Sequence, residues 1–191
     1  MDTKIAIAMP LVESIKMQAV ISMLDIVSNA KHQIDFIFVK DTMVHVARTS
    51  AVLKSRSIDA THIMFLDSDM SVEGKVIETL LSYDKDIVGV NYHAKHLPLE
   101  SVLKFQDEDG KTVQTVVPKG LGKCYAVGTG CVLIRMDVFE RIEKPWFFYE
   151  EDEDKPSMTE DVWFCRQAHR KGIDVWYTTD IVAKHIGEFE Y

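Results

Sequence analysis

Short apolar runs alternate with helical patterns through the first half of the chain. Apolar runs of about four to eight residues bounded by turn residues are typical of buried strands, and apolar residues at helical spacing predict helices. The predicted strands are KIAIAM (4–9), IDFIFVK (34–40), HIMFLD (62–67) and DIVGVNY (86–92), and the predicted helices cover 12–30, 43–58 and 72–83. The last helix is predicted to begin behind a Ser71 cap, with Glu73 in its first turn. Apolar strands that alternate with helices predict an α/β fold with a mostly parallel sheet and helices on both faces.

The second half of the chain has a different pattern. VLKF and TVQTVV flank EDGK and predict a small antiparallel hairpin. KCYAVGTGCVLIRM (123–136) predicts one glycine-interrupted strand, 137–142 a short helix, and 145–159 an irregular loop of aromatic and acidic residues. A helix over 160–171 is framed by Thr159 and Gly172, and the strand DVWYTT (174–179) follows it. With no linker or repeat in the sequence, we predict one domain over 1–191.

Charge and cysteine content narrow the class of protein. The formal net charge of −8 does not favour a general binder of nucleic-acid backbones, which needs a basic face. The three cysteines, Cys124, Cys131 and Cys165, have no CxxC spacing and predict reduced thiols rather than disulfides or a zinc site. No apolar run reaches the roughly 20 residues of a membrane helix, and the apolar part of MDTKIAIAMP is short for a signal peptide. We therefore expect a soluble, cytoplasmic protein.

The third predicted strand ends in FLDSDM (65–70), which places two carboxylates, Asp67 and Asp69, just beyond an apolar run. Ligands of parallel α/β sheets bind beyond the carboxyl ends of the strands, and Mg²⁺ or Mn²⁺ prefers oxygen ligands. Both carboxylates face one site if the strand geometry continues, whereas a turn would separate them. Because acidic residues are also common in turns, the two interpretations stay open.

Three further sites in the second half of the chain have two interpretations each. Glu160 and Asp161 open a predicted helix, where acids stabilise the helix dipole or act as a general base. His185 is either an ordinary surface histidine or a third protein ligand of a metal ion. Gly128 and Gly130 indicate a bulge or a close approach of the backbone to a ligand.

The order of these features resembles the GT-A glycosyltransferases, particularly small family 2-like enzymes of bacteria and phages. The resemblance rests on FLDSDM, VGVNY, AVGTGCVLIRMDVFERI and TEDVWFCRQAHRKGIDVWYTTDIVAKHIG, and it covers about residues 3–188. It implies a single GT-A catalytic domain, Rossmann-like, with a nucleotide-sugar-binding half at 1–92 and an acceptor and catalytic half at 93–191. It also implies a metal-dependent enzyme that moves a sugar from a nucleotide-diphosphate donor, a UDP-sugar, to an acceptor hydroxyl with inversion, using Mn²⁺ or Mg²⁺.

The resemblance also implies roles for individual residues. Asp161, or alternatively Glu160, corresponds to the catalytic base, and Asp69, Asp67 and His185 correspond to the metal ligands. The implied donor-binding residues are Pro10, Leu11, Arg48, Asp67, Ser68, Gly128, Thr129, Gly130 and Lys184.

Several alternatives remain at this point. The alternative classes are a retaining GT-A transferase, a sugar-nucleotidyltransferase and a non-catalytic nucleotide-sugar-binding module. The acceptor is open among glycans, lipids, small molecules and modified phage DNA bases, and so is the oligomeric state.

Overall fold

The computed structural model describes residues 3–11, 14–40, 43–95, 97–107, 109–113, 116–152 and 155–187. The strands are β1 (Lys4–Leu11), β2 (Gln33–Lys40), β3 (His62–Leu66), β4 (Met70–Val72), β5 (Ile87–Val90), β6 (Phe105–Gln106), β7 (Thr112–Val113), β8 (Leu121–Cys124), β9 (Cys131–Arg135), β10 (Glu150–Asp152), β11 (Lys155–Met158), β12 (Val175–Thr178) and β13 (Ala183–His185). The helices are α1 (Met17–Asn29), α2 (Val44–Ser57), α3 (Val76–Ser82), α4 (Val138–Arg141) and α5 (Glu160–Arg170).

A seven-stranded sheet with the order β2-β1-β3-β9-β5-β12-β8 forms the centre of the fold. Strands β1, β2, β3, β5 and β12 run in one direction, and β8 and β9 run in the other. The mostly parallel sheet is therefore confirmed. The single strand predicted over 123–136 is wrong, because this segment contains two strands, β8 and β9, at different places in the sheet.

Helices cover both faces of the sheet, as predicted. Alternate residues of β1 point to opposite faces, so that Ala6 and Ala8 pack with α2, α4 and α5 while Ile5 and Ile7 pack with α1 and α3. Alanine on the first face leaves room for helix α2, whose Ala47 is also buried. The two apolar layers hold the carboxyl ends of β1 and β3 side by side.

The helix predicted over 72–83 begins later than expected. Val72, the first residue of the predicted helix, belongs to β4, in which Ser71 pairs with Lys184 of β13, and α3 begins only at Val76. Glu73 is not a first-turn acid, because it lies before the start of α3. Its carboxylate instead accepts a hydrogen bond from the Val182 N–H at 3.1 Å. Pairing with a distant strand thus replaces the local helical preference, and it brings the end of β13 next to FLDSDM. The first helix also starts late, at Met17 rather than 12, and residues 12 and 13 lie outside the described part.

The prediction of an irregular loop over 145–159 is wrong in two respects. Trp146 and Phe147 are buried, and the Phe147 ring stacks on Phe164 of α5 with centroids 5.0 Å apart. Strands β10 and β11 then pair antiparallel as a hairpin. Trp146 and Phe147 therefore belong to the core, whereas Phe148 and Tyr149 are exposed.

Smaller features of the sequence are also confirmed. Strands β6 and β7 form the predicted antiparallel hairpin, although residues 108, 114 and 115 lie outside the described part. Gly172 ends α5 with a φ of 70°, a backbone conformation that favours glycine. No helix among the described residues is long and apolar enough to cross a membrane.

The three cysteines are free, as the sequence predicted, and all three are buried. Burial raises the pKa of Cys124 to about 12. Burial also raises the pKa of Cys131 and Cys165, so all three thiols stay protonated near neutral pH.

Candidate functional site

A cavity of about 170 Å³ lies at the carboxyl ends of β1 and β3, the edge at which the sequence predicted a ligand. Its walls combine apolar side chains from β1 and α2 with polar side chains from the turn after β3. The lining residues are Pro10, Leu11, Val44, Ala47, Asp67, Ser68, Asp69 and His185. Six of these, all except Val44 and Ala47, are residues for which the resemblance implied donor or metal binding.

A turn, not a continued strand, carries the two aspartates. Strand β3 ends at Leu66, and the Met70 N–H donates to the Asp67 carbonyl at 3.0 Å. The turn is tied to its surroundings, because the Lys16 N–H donates to the Ser68 carbonyl at 2.9 Å and the Ile186 N–H donates to the Asp69 carbonyl at 2.8 Å. As a result the two carboxylates reach different partners.

Asp69 meets His185 and Lys95. His185 Nε2 lies 3.3 Å from Asp69 Oδ1, and the Lys95 ammonium contacts Asp69 Oδ2. His185 arrives there because β13 pairs with β4 and places it opposite Met70. Burial raises the pKa of Asp69, but the hydrogen bonds and charges of His185 and Lys95 outweigh burial and lower this pKa to about 2. The carboxylate is therefore ionised over the whole physiological range.

Asp67 meets a buried arginine. Arg48 Nη2 donates to both Asp67 oxygens, at 3.0 and 3.3 Å, and Arg48 Nε donates to Glu160 at 3.2 Å. Arg48 Nη1 also donates to the Thr129 carbonyl at 3.4 Å, and the guanidinium lies over the Phe65 ring. Arg48 is only 2% exposed. Burial would lower the pKa of Arg48, but Asp67 and Glu160 outweigh it and raise this pKa, so the arginine is a permanent cation between two carboxylates.

The two acids at the start of α5 have different surroundings. Glu160 is paired with Arg48, and its side chain is 13% exposed. Asp161 Oδ1 accepts hydrogen bonds from the Thr159 hydroxyl and from the Val162 N–H. Among the described residues these bonds use only Oδ1, so Asp161 Oδ2 has no protein partner there. Of the two candidate bases, Asp161 is the one whose carboxylate contacts no cationic side chain of the described residues.

Gly128, Thr129 and Gly130 are buried behind the turn, and they are not part of the cavity lining. A Cβ on either glycine would lie 2.5 Å from the hydroxyl of Tyr92, so the backbone approaches a tyrosine of the protein itself. The Gly130 N–H donates to this hydroxyl at 3.0 Å. Burial and the nearby Asp67 charge raise the pKa of Tyr92, which keeps the phenol neutral.

Substituting Gly130 by Ala is expected to lower the free energy of unfolding by about 1–3 kcal/mol, because the new methyl group would overpack the contact with Tyr92. Its Cβ would also lie 3.2 Å from Asp67 Oδ2. Urea unfolding measures the effect. Adding Tyr92→Phe, which removes the clashing oxygen, should restore part of the loss. Gly187→Ala is the control, since no described atom lies within 4 Å of its Cβ position; equal stability of both alanine variants would contradict this packing.

Two observations concern residues that the sequence placed differently or missed. Lys184 is exposed and precedes His185 in β13, so the two side chains point to opposite sides of that strand.

Lys95 and Tyr92 were not assigned to the site. A sequence signal existed, because both residues lie in VGVNYHAK (88–95). Tyr92 ends a predicted strand and Lys95 lies just beyond it, at the same edge of the sheet.

The fit of a divalent cation depends on Asp69 and His185. Among the described residues, no group of three or more histidine, cysteine, aspartate or glutamate side chains is arranged to hold a metal ion. Neighbouring ligands of an octahedral Mg²⁺ site lie about 3 Å apart, given metal–ligand distances of about 2.0–2.1 Å, and Asp69 Oδ1 and His185 Nε2 are 3.3 Å apart. These two residues therefore fit as a pair of ligands, while Asp67 is engaged by Arg48.

Comparison with protein-family models and with curated proteins finds no match. Solved structures share the fold. A197 from STIV has a TM-score of 0.69 and 17% identity over 97% of this chain and 87% of that chain. S. aureus TarS 1-349, in complex with UDP-GlcNAc, has a TM-score of 0.54 and 10% identity over 99% of this chain and 60% of that chain. Identities this low show the fold alone, and the Rossmann-like α/β fold implied by the resemblance is confirmed.

Proposed function

We propose that this chain is a GT-A-type glycosyltransferase that takes a sugar from a nucleotide-diphosphate donor, a UDP-sugar, and transfers it to an acceptor hydroxyl. The observation that carries the proposal is the cavity at the carboxyl ends of β1 and β3. It is lined by Pro10, Leu11, Asp67, Ser68, Asp69 and His185, the residues for which the sequence resemblance implied donor and metal binding. Support also comes from the fold that the chain shares with TarS, whose structure holds UDP-GlcNAc.

Asp69 and His185 would hold the divalent cation, Mn²⁺ or Mg²⁺. When bound, such a cation stabilises the negative charge that develops on a nucleoside diphosphate as it leaves the sugar. The protein supplies a carboxylate for it at Asp69, whose pKa is lowered to about 2 by the hydrogen bonds and charges of His185 and Lys95 in the absence of metal. Pro10 and Leu11 would border the nucleoside on the apolar side of the cavity.

Asp161 would accept the proton of the acceptor hydroxyl as that hydroxyl attacks the sugar. A carboxylate is suited to this step when it is not already neutralised by a cation. Arg48 neutralises Glu160, whereas the Asp161 carboxylate accepts hydrogen bonds from the Thr159 hydroxyl and the Val162 N–H. Attack assisted from the face opposite the leaving group inverts the anomeric centre, so we propose an inverting reaction.

The proposal is tested by the melting temperature of the purified chain with UDP, UDP-sugars and other nucleotides, each with and without Mn²⁺. A ligand that binds only the native state at 100 times its Kd stabilises by about 2.7 kcal/mol, which is roughly 5–10 °C for a chain of this size. We expect a shift with a uridine nucleotide that requires Mn²⁺ and is lost in Asp69→Asn.

Asp174→Asn is the matched control. It removes an aspartate paired with Lys123 at 2.6 Å on the surface, outside the residues that line the cavity, and it should keep the full shift. No shift with any nucleotide would refute the donor site. A metal-dependent shift without turnover on any hydroxyl acceptor would favour the non-catalytic binding module.

A further inference from the structure

Both oxygens of the Asp69 carboxylate are already covered by protein groups. The Lys95 ammonium contacts Oδ2, and His185 Nε2 lies 3.3 Å from Oδ1. The three side chains are between 22% and 37% exposed, so this cluster is partly shielded from water, and its charges are less screened than those of a fully exposed pair.

Two backbone hydrogen bonds hold the chain segment that carries Lys95. Tyr92, three residues earlier, is 6% exposed, and its carbonyl accepts a hydrogen bond from the Val102 N–H at 3.1 Å. The Ala94 N–H donates to the Glu100 carbonyl at 2.9 Å. These bonds hold the backbone at Tyr92 and Ala94 before Lys95 and at Glu100 and Val102 after it, so the fold places the segment that carries the lysine beside Asp69.

The same segment also contacts His185. The ring of Tyr92 meets the ring of His185 edge-on, with centroids 5.6 Å apart. One short stretch of chain therefore touches both residues to which the proposed function assigns a cation. Among the described residues, Lys95 and His185 are the basic side chains in contact with Asp69.

We infer that Lys95 and a divalent cation are alternative partners of Asp69, so that the cation binds only by displacing the Lys95 ammonium. This inference rests on the proposed assignment of the cation to Asp69. The physical reason is that an ammonium is a compact positive charge, and two cations cannot share one carboxylate in a partly shielded site without strong repulsion. In the absence of metal, Lys95 balances the carboxylate charge, and it weakens the apparent affinity of the site for metal.

The test is direct measurement of Mn²⁺ affinity on the whole chain, by titration calorimetry or by the loss of the free Mn²⁺ resonance signal. Lys95→Met removes the ammonium and keeps most of the apolar stem. We expect it to bind Mn²⁺ about tenfold more tightly, since a hydrogen bond between charged groups no longer has to be broken. Lys95→Arg keeps the competing charge and should stay near the wild-type affinity.

Lys123→Met is the matched control, because it removes one positive charge from another lysine–aspartate pair, on strand β8. It should leave the Mn²⁺ affinity unchanged. The double variant Asp69→Asn with Lys95→Met should bind no more tightly than Asp69→Asn alone, which assigns the gain to this carboxylate. Equal melting temperatures of wild type and Lys95→Met show that the comparison is made between folded proteins.

Equal or weaker Mn²⁺ binding by Lys95→Met would overturn the inference while leaving the proposed function intact. A gain that persists without Asp69 would also overturn it. Failure of every variant to bind Mn²⁺ would refute the inference together with the cation site. The nucleotide-induced melting shift is measured separately, so it still reports whether the donor site exists.

Discussion

Asp161→Asn is expected to reduce sugar transfer by about 10²–10⁴-fold, the usual contribution of a general base. The amide keeps Oδ1 as an acceptor for the Val162 N–H, which is bonded at 2.8 Å, but it cannot take a proton from the acceptor hydroxyl. The measurement is the release of nucleoside diphosphate with water or a screened hydroxyl compound as acceptor. The melting temperature and the nucleotide-induced shift should stay close to those of the wild type.

Glu160→Gln separates this role from that of the neighbouring acid. It removes the charge that is paired with buried Arg48, so it should reduce stability more than Asp161→Asn does. If Asp161→Asn turns over at the wild-type rate, the base assignment is wrong. If Glu160→Gln alone abolishes transfer at full stability, Glu160 is the base.

Arg48→Met is expected to reduce the free energy of unfolding by about 3–5 kcal/mol, because it leaves Asp67 and Glu160 without their shared cation inside the protein. In a chain of 191 residues this lowers the melting temperature by roughly 6–20 °C. Arg48→Lys should be intermediate, since an ammonium keeps the charge but cannot reproduce the planar fork that reaches Asp67, Glu160 and the Thr129 carbonyl. Thermal and urea unfolding measure both.

Arg141→Met is the control for Arg48. Arg141 also donates to a carboxylate, Asp86 at 2.8 Å, but its side chain is 42% exposed. Exposed ion pairs contribute about 0–1 kcal/mol, so this variant should melt near the wild type. A melting temperature for Arg48→Met equal to that of Arg141→Met would mean that the buried pair does not stabilise the fold.

Much of the fold was predictable because its signals are local. β1, β2, β3 and β5 follow from β-prone apolar runs, and helices α2 and α5 follow from apolar spacing and, for α5, from Thr159 and Gly172 at its ends. The errors lie where a distant strand competes with a local preference. Ser71 and Glu73 look like the start of a helix, but Met70, Ser71 and Val72 pair with β13 as strand β4, and α3 begins only at Val76.

The site was predictable in position but not in its pairings. Ligands of such sheets bind at the carboxyl ends of the strands, so FLDSDM predicted a ligand site at that edge. The structure has a cavity at this position. The sequence did not show that Asp67 is held by Arg48, and it did not show Lys95 on Asp69. These partners lie 19 and 26 residues away along the chain, and Glu160 lies 112 residues from Arg48.

The sequence by itself determined the α/β class and the edge of the sheet at which the carboxylates collect. Each of these depends on patterns within a few residues, where hydrophobic burial and backbone geometry act directly. Only the tertiary structure decided that β9 lies antiparallel between β3 and β5. It also decided that the turn after β3 directs Asp67 toward Arg48, while Asp69 contacts His185 and Lys95. Those outcomes depend on which distant groups the packed sheet brings within hydrogen-bonding distance, and no local pattern encodes that.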